Sequence, residues 1–253
     1  MNPFDLTGRL AVVTGARRGI GFAIAEALAS AGADIVAVSA SLDPDSSAIG
    51  DRVRALGREF SGYRVDFADR GQVTSFAEGF GNADRQVDIL VNNAGTIRRA
   101  PAVEHPMDWF DEVLEVNLTS GFVLSRALGR RMLDGGYGRI IFTASLLSFQ
   151  GGVNVPGYTA AKSGVAGLVR ALSNEWASGG VTVNGIAPGY ISTDNTQALQ
   201  DDPARSRGIL DRIPAGRWGR AEDIAGAATF LASDAAAYIS GAILPVDGGW
   251  LGR

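Results

Sequence analysis

What most narrows the fold of this chain is a rhythm: short β-forming apolar runs alternate with helix-forming stretches, and the first run empties into a glycine-rich turn. Leu10–Thr14 (LAVVT) is followed at once by Gly15-Ala16-Arg17-Arg18-Gly19-Ile20-Gly21 and then by helical spacing over 22–30, which Gly32 ends. Further runs at 35–39, 63–66, Ile89–Asn92, 139–143, 181–186 and Ile243–Val246 read as strands, whereas 108–133, 157–178 and 221–231 read as helices. Strands that are apolar almost throughout belong in a parallel sheet covered on both faces. With right-handed crossovers the pattern predicts an α/β fold, one domain over 1–253, built on a doubly wound, Rossmann-like seven-stranded parallel sheet. Such a sheet binds its ligand off the carboxyl ends of the strands. The segment 192–219 breaks the rhythm: it is polar, holds Pro203 and Pro214, and reads either as a substrate lid or as a solvated loop.

Composition excludes several function classes. The chain has 23 basic and 27 acidic residues, a net charge of -4, and no Lys/Arg-rich stretch, so nucleic acid is not an expected partner. It has no cysteine and one histidine, His105, which removes disulfides, thiolate metal sites and His-rich metal sites; no metal is expected. The first residues, MNPFD, carry no basic-then-apolar secretory pattern. The long uncharged run 140–161 contains Gln150, Asn154 and Pro156, unlike a membrane span. These features predict a cytoplasmic protein that acts on a small molecule.

At the first strand–helix junction, Gly15, Gly19 and Gly21 let the backbone turn sharply and approach a pyrophosphate, and the N–H groups of the new helix favour its charge. The spacing is Gly-x-x-x-Gly-x-Gly, not the commoner Gly-x-Gly-x-x-Gly. An acidic residue ending the second strand would select NAD; Ser39-Ala40-Ser41 is neither acidic nor basic. Arg17 and Arg18 read either as partners of a 2'-phosphate or as solvated charges. Asp66 after the third strand could meet an adenine edge, and Asn92-Asn93-Ala94-Gly95 after the fourth brings backbone to a cofactor.

Lys162 is the chain's only lysine, and it stands one helical turn after Tyr158, so the two share a face. An ammonium beside a phenol favours phenolate and lowers a pKa normally near ~10, which would make Tyr158 a proton-transfer group. Ser145 follows a strand and offers a hydroxyl that could polarise a carbonyl. Asn117, within an otherwise apolar helix, is either a functional amide or one that merely satisfies a neighbour.

Taken together, Thr14 to Gly21, Asn92 to Gly95, Asn117, Ser145, Tyr158 with Lys162, and Pro188-Gly189 resemble the short-chain dehydrogenase/reductase family across essentially the whole chain. The resemblance implies a nicotinamide cofactor, NAD or NADP, and a Ser145/Tyr158/Lys162 site with Asn117 completing a proton relay through water. It implies that Gly15, Arg17, Arg18, Gly19, Ile20 and Gly21 contact the cofactor, as do Ser39, Asp66, Phe67, Asn93, Ala94 and Gly95. It further implies that Pro188, Gly189, Ile191 and Thr193 line it, that Tyr158 and Lys162 reach its nicotinamide end, and that the protein is a homotetramer. Arg18 stands at a loop position often basic in NADP users of the family, but Ala40 stands where such enzymes frequently have arginine.

The variable segments 97–99, 148–152, 195–197, 213–219 and 247–251 are similar to the sugar-acid branch of that family, the 2-dehydro-3-deoxy-D-gluconate 5-dehydrogenases. That similarity implies a keto-deoxy sugar acid as substrate. A carboxylate calls for arginine, and hydroxyls call for amides. Arg98 and Arg217 are the expected carboxylate partners, Gln150 and Asn195 the expected amides, beside Ser145 and Tyr158. Trp218 reads either as packing under a lid or as a pocket wall. A 3-oxoacyl thioester reductase would use the same catalytic set, though the polar 192–212 stretch suits its apolar groove poorly. A nicotinamide-binding sensor without turnover would not need Tyr158 and Lys162.

Overall fold

Seven strands form one parallel sheet: β1 (Leu10–Thr14), β2 (Asp34–Ser39), β3 (Phe60–Arg64), β4 (Ile89–Asn92), β5 (Gly138–Thr143), β6 (Val181–Pro188) and β7 (Ile243–Val246). Their spatial order is β3-β2-β1-β4-β5-β6-β7, so the order reverses between β1 and β4 and a crevice opens there. The computed structural model describes residues 2–81 and 85–253, with the side chain of Asn195 outside that description. The helices are α1 (Gly19–Ser30), α2 (Ala48–Ala55), α3 (Arg70–Gly81), α4 (Met107–Leu114), α5 (Ser120–Asp134), α6 (Pro156–Trp176), α7 (Gln197–Gln200), α8 (Pro203–Leu210) and α9 (Ala221–Ala232).

Alternation along each strand divides the core into two layers. Val13, Ile35, Val91, Ile141 and Ile186 face one side with Ile24 and Leu28 of α1 and Ile224 and Leu231 of α9. Val12, Val36, Leu90, Ile140, Phe142 and Val183 face the other with residues of α3, α5 and α6. Each buried aliphatic side chain contributes about 1.5–3 kcal/mol by leaving water. Both layers hold the central strand ends rigid, and the functional side chains project from those ends.

The expected strands at Leu10–Thr14, Ile89–Asn92 and Ile243–Val246 stand where the apolar runs lie. The third strand does not. β3 begins at Phe60 and ends at Arg64, earlier than the 63–66 expected, because it is an edge strand held by backbone pairing to β2 (Ile35 opposite Phe60, Ser39 opposite Arg64) and is largely exposed. Val65 is buried just beyond it. α2 and α3 have no counterpart among the expected helices, since glycines and charges interrupt their apolar spacing. The helix expected over 108–133 is interrupted by one π turn, Glu115–Thr119, between α4 and α5. The 192–219 segment contains α7 and α8 and is therefore not structureless. Among the described residues no helix is long and apolar enough to cross a membrane, and no group of three or more His, Cys, Asp or Glu could hold a metal ion.

Candidate active site

The carboxyl ends of β1, β4 and β5 are stitched together by side chains. The Thr14 hydroxyl accepts from the Asn93 and Ala94 amides, both at 2.9 Å, and donates to the Val91 carbonyl. The Asn93 amide nitrogen donates to the Thr14 carbonyl at 3.0 Å, while its oxygen accepts from the Thr143 hydroxyl at 3.1 Å. Asn93 thus serves as a frame, leaving backbone at Ala94 and Gly95 to face the crevice.

Beside this frame the Gly15–Gly21 turn is fitted backbone to backbone. A Cβ on Gly21 would lie 2.3 Å from the Gly15 carbonyl oxygen, and one on Gly15 would lie 2.9 Å from the Asn93 amide nitrogen. Gly15 and Gly19 also take left-handed φ values of 68° and 56°, which L side chains rarely adopt. Arg18 occupies the N-cap of α1 without a side-chain hydrogen bond to its first turn, which leaves the amides there open to an anion. α1 starts at Gly19, earlier than the 22 expected, with the glycine turn feeding directly into its first turn. This bare cradle at a helix start, at the point where strand order reverses, fits a dinucleotide.

Around the cradle, the Ser39 hydroxyl accepts from the Arg17 amide at 3.2 Å, and the exposed Arg17 guanidinium has no hydrogen bond or ion pair among the described residues. Arg18 pairs with Asp194 at 2.5 Å, tying the cradle to the 192–219 segment. Thr193 faces the same loop: a Cβ on Gly19 would lie 3.6 Å from its methyl group. Ile20 packs partly against the core. Asp66 is exposed and its carboxylate accepts from the Ala68 amide. Pro188 ends β6 opposite Val246, and Gly189 follows it, where a Cβ would lie 2.6 Å from the Asp247 Cα. The side chains of Phe67 and Ile191, 5% and 4% exposed, pack into the core.

Ser145 follows β5 and caps the short turn Leu146–Ser148. Its hydroxyl oxygen accepts from the Leu147 amide at 3.1 Å, which leaves its hydrogen to donate elsewhere. Ser148 donates to the Lys162 carbonyl at 2.7 Å, fastening that turn to α6. The buried Lys162 ammonium donates to the Thr143 carbonyl at 2.7 Å and lies 5.5 Å from the Tyr158 ring centre. The lone lysine, the tyrosine and the serine therefore meet at one strand end.

The electrostatics differ from the expectation that Lys162 acidifies Tyr158. Burial lowers the Lys162 pKa to about 8, since an ammonium is poorly solvated there. Burial raises the Tyr158 phenol above its ordinary value; a Ser145 hydrogen bond and the Arg99 charge pull it back. Lys162 Nζ donates to the Thr143 carbonyl, and the downward pulls on Tyr158 come from Ser145 and Arg99.

Asn117 sits in the π turn, whose extra residue swings its side chain inward. Its amide nitrogen donates to the Thr96 and Val113 carbonyls, both at 2.8 Å. Its oxygen is buried and has no hydrogen-bond partner among the described residues. Such an acceptor costs about 1–3 kcal/mol if left dry, so it is a natural seat for water.

Both expected carboxylate partners are ion-paired within the chain. Arg98 forms a two-pronged ion pair with Glu112 of α4 at 2.9 and 3.0 Å. Arg217 does the same with Asp223 of α9 at 2.6 and 3.0 Å, and that hydrogen bonding holds the Asp223 carboxyl at about 2. Arg99, between two fixed neighbours, has no hydrogen bond or ion pair among the described residues, and its charge acts on Tyr158. Sequence gave the Arg98-Arg99 pair but no way to know which one Glu112 would take. Gln150 is half-buried just after the Ser145 turn. Asn195 lies in the turn Asp194–Thr196, with its side chain outside the described residues. Trp218 packs edge-on to Tyr190 in an aromatic cluster with Trp250, Ile209, Ile213 and Leu146. That cluster joins the 192–219 segment to the C-terminal tail and to the Ser145 turn.

The arrangement agrees with known proteins. A family model described as enoyl-(acyl carrier protein) reductase matches residues 15–251. A relative from Pseudoalteromonas atlantica named 2-dehydro-3-deoxy-D-gluconate 5-dehydrogenase is 58% identical over 253 residues, all of both chains. A crystal structure from Agrobacterium tumefaciens with bound NADP, assigned provisionally as a 2-deoxy-D-gluconate 3-dehydrogenase, is 53% identical with a TM-score of 0.94 and full coverage of both chains. A gluconate 5-dehydrogenase from Burkholderia cenocepacia, solved with NADP and tartrate, is 38% identical with a TM-score of 0.93, covering 100% of this chain and 98% of that one. With a dinucleotide cradle at the strand reversal and a Ser/Tyr/Lys grouping beside it, the chain belongs to the short-chain dehydrogenase/reductase family of nicotinamide-dependent oxidoreductases.

Proposed function

We propose that the chain transfers a hydride between NADP and a secondary alcohol of a keto-deoxy sugar acid of the 2-dehydro-3-deoxy-D-gluconate type. One observation carries this reading: of Arg98, Arg99 and Arg217, only Arg99 lacks an acidic partner among the described residues, and its charge acts on Tyr158. A substrate carboxylate on Arg99 would leave an alcohol further along the same chain to reach Ser145 and Tyr158. The relative from Pseudoalteromonas atlantica and the structure holding NADP and tartrate support the same substrate and cofactor class.

Gly15, Gly19, Ile20 and Gly21 would hold the pyrophosphate, with backbone at Asn93, Ala94, Gly95, Pro188, Gly189 and Ile191 and the Thr193 side chain along the remainder. Ser39, Asp66 and Phe67 would border the adenosine, and Arg17, unpaired among the described residues, would meet a 2'-phosphate, joined by Arg18 on exchanging Asp194 for it. A nicotinamide held there would supply the hydride acceptor for the alcohol carbon in oxidation. Ser145, its lone pair engaged by the Leu147 amide, donates its hydrogen to the substrate oxygen. Tyr158 takes the alcohol proton, so the reaction yields ketone, reduced cofactor and one released proton. Lys162, with a pKa of about 8, exchanges protons in the working range, and water on Asn117 Oδ1 would link it to solvent. Segment 192–219 acts as the substrate lid, with Arg18–Asp194 as its tie to the cradle. We place the enzyme in the cytoplasm as a homotetramer, as its family resemblance implies.

The test follows nicotinamide absorbance with NADP(H) and NAD(H) against keto-deoxy sugar acids and acetoacetyl thioesters. The sugar acid should exceed the thioester in kcat/KM by at least about tenfold, the worth of one charge-assisted hydrogen bond. Preference for the thioester would identify a 3-oxoacyl reductase, and no turnover with either would identify a sensor. In the same assay Arg18→Ala should raise KM for NADPH by about tenfold, the loss of one ionic phosphate contact, and leave KM for NADH within about twofold. Equal effects on both cofactors would remove Arg18 from 2'-phosphate binding.

A further inference from the structure

The loop that carries Arg99 is pinned at three points. Asn117 donates to the Thr96 carbonyl at 2.8 Å, Glu112 holds Arg98 at 2.9 Å, and the Ala100 amide donates to the Asn154 carbonyl at 3.0 Å. The third pin is unusual. Asn154 is the one non-glycine residue with positive φ among the described residues, at 61°. Asparagine tolerates that left-handed conformation better than most residues, whereas a β-branched residue does not. Its side chain is exposed and has no hydrogen bond among the described residues, so the backbone conformation is what its identity supplies. Two residues later Pro156 opens α6, the helix of Tyr158. The Asn154 carbonyl therefore couples the arginine loop to the catalytic helix across the crevice.

On the reading that Arg99 meets the substrate carboxylate, we propose that Asn154 is a positioning residue: its left-handed backbone turns its carbonyl onto the Ala100 amide and thereby sets where Arg99 stands relative to Tyr158. In the absence of that turn the amide loses its acceptor and Arg99 moves with a loop end fixed only by Arg98. Two consequences follow for the reaction. Selectivity for a carboxylated substrate over its uncharged analogue falls, and the phenol loses part of the Arg99 field that lowers it.

The experiment compares Asn154→Gly, Asn154→Val and Arg99→Ala on a keto-deoxy sugar acid and on its methyl ester, with a pH profile for each. Asn154→Gly keeps the left-handed turn and should retain wild-type selectivity within about twofold. Asn154→Val should raise KM for the acid about tenfold, comparable to one displaced ionic contact, leave KM for the ester within twofold, and shift the Tyr158-dependent limb to higher pH. In the Asn154→Val/Arg99→Ala double variant the loss of acid selectivity should be no greater than in Arg99→Ala alone, because both act through one contact. If Asn154→Val does not fold, Asn154→Ala, which also disfavours positive φ, takes its place. If Arg99→Ala leaves acid selectivity intact, the substrate reading itself fails. If Arg99→Ala lowers it but Asn154→Val does not, or if Asn154→Val affects acid and ester equally, the positioning role is overturned.

Discussion

Tyr158→Phe is expected to lower kcat in both directions by about 10²–10⁴-fold, the usual contribution of a positioned proton-transfer group. The phenol hydroxyl is the only atom removed, and the ring remains against Lys162, whose ammonium lies 5.5 Å from its centre. Cofactor affinity, measured by quenching of protein fluorescence with NADPH, should therefore stay within about threefold, less than 1 kcal/mol. Substantial turnover in this variant would reject Tyr158 as proton donor and acceptor. A large loss of NADPH affinity would mean that the hydroxyl builds the cofactor site rather than moving a proton. The split matters because Tyr158 and Lys162 would both border the nicotinamide end, and only a kinetic separation distinguishes chemistry from binding.

Arg99→Ala carries the second large effect. A hydrogen bond to a charged group contributes about 1.5–3 kcal/mol, so KM for the sugar acid should rise by roughly 10–150-fold. The uncharged methyl ester should change little. Because the Arg99 charge lowers the Tyr158 phenol, its removal raises that pKa. The rising limb of oxidation, which needs phenolate, should move to higher pH, and the falling limb of reduction should move the same way. Arg98→Ala provides the contrast: its guanidinium is held by Glu112, so it should destabilise the loop and α4 without selecting between acid and ester. Equal losses on acid and ester in Arg99→Ala would dissolve the carboxylate role.

Much of this was legible in the sequence, for physical reasons that differ by region. β1 and β4 were readable because strands packed on two faces must be apolar over their length, and the Gly15–Gly21 turn was readable because no side chain fits where Gly21 meets the Gly15 carbonyl. Tyr158 and Lys162 were readable because helical spacing alone brings them to one face. β3 was not, since an edge strand is held by backbone hydrogen bonds that leave no apolar signature. The π turn at Asn117 was not, because α4 and α5 continue the same apolar spacing on either side of it.

The arginines show the sharper limit. Arg98 and Arg99 are indistinguishable as letters, and only the position of Glu112 on α4 decides that the first is paired internally and the second has no acidic partner among the described residues. Arg217 looked equally suitable until Asp223 was found against it. The source of the Tyr158 shift was likewise invisible: burial raises the phenol, and the groups that pull it back, a strand-end serine and a loop arginine, are distant in sequence, while the ammonium one helical turn away donates to the Thr143 carbonyl. Which side chain acts on a titrating atom depends on where its charged end is tethered, and tethers are long-range contacts.

A crystal structure of the Tyr158→Phe variant with NADP and a keto-deoxy sugar acid bound is the most direct test of this site. The account predicts the substrate carboxylate on Arg99, with the Arg98–Glu112 and Arg217–Asp223 pairs intact, and the reacting oxygen within hydrogen-bond reach of Ser145 and beside the vacated phenol position. A carboxylate seated on Arg98 or Arg217 with those pairs broken, or a reacting oxygen remote from Ser145, would contradict it.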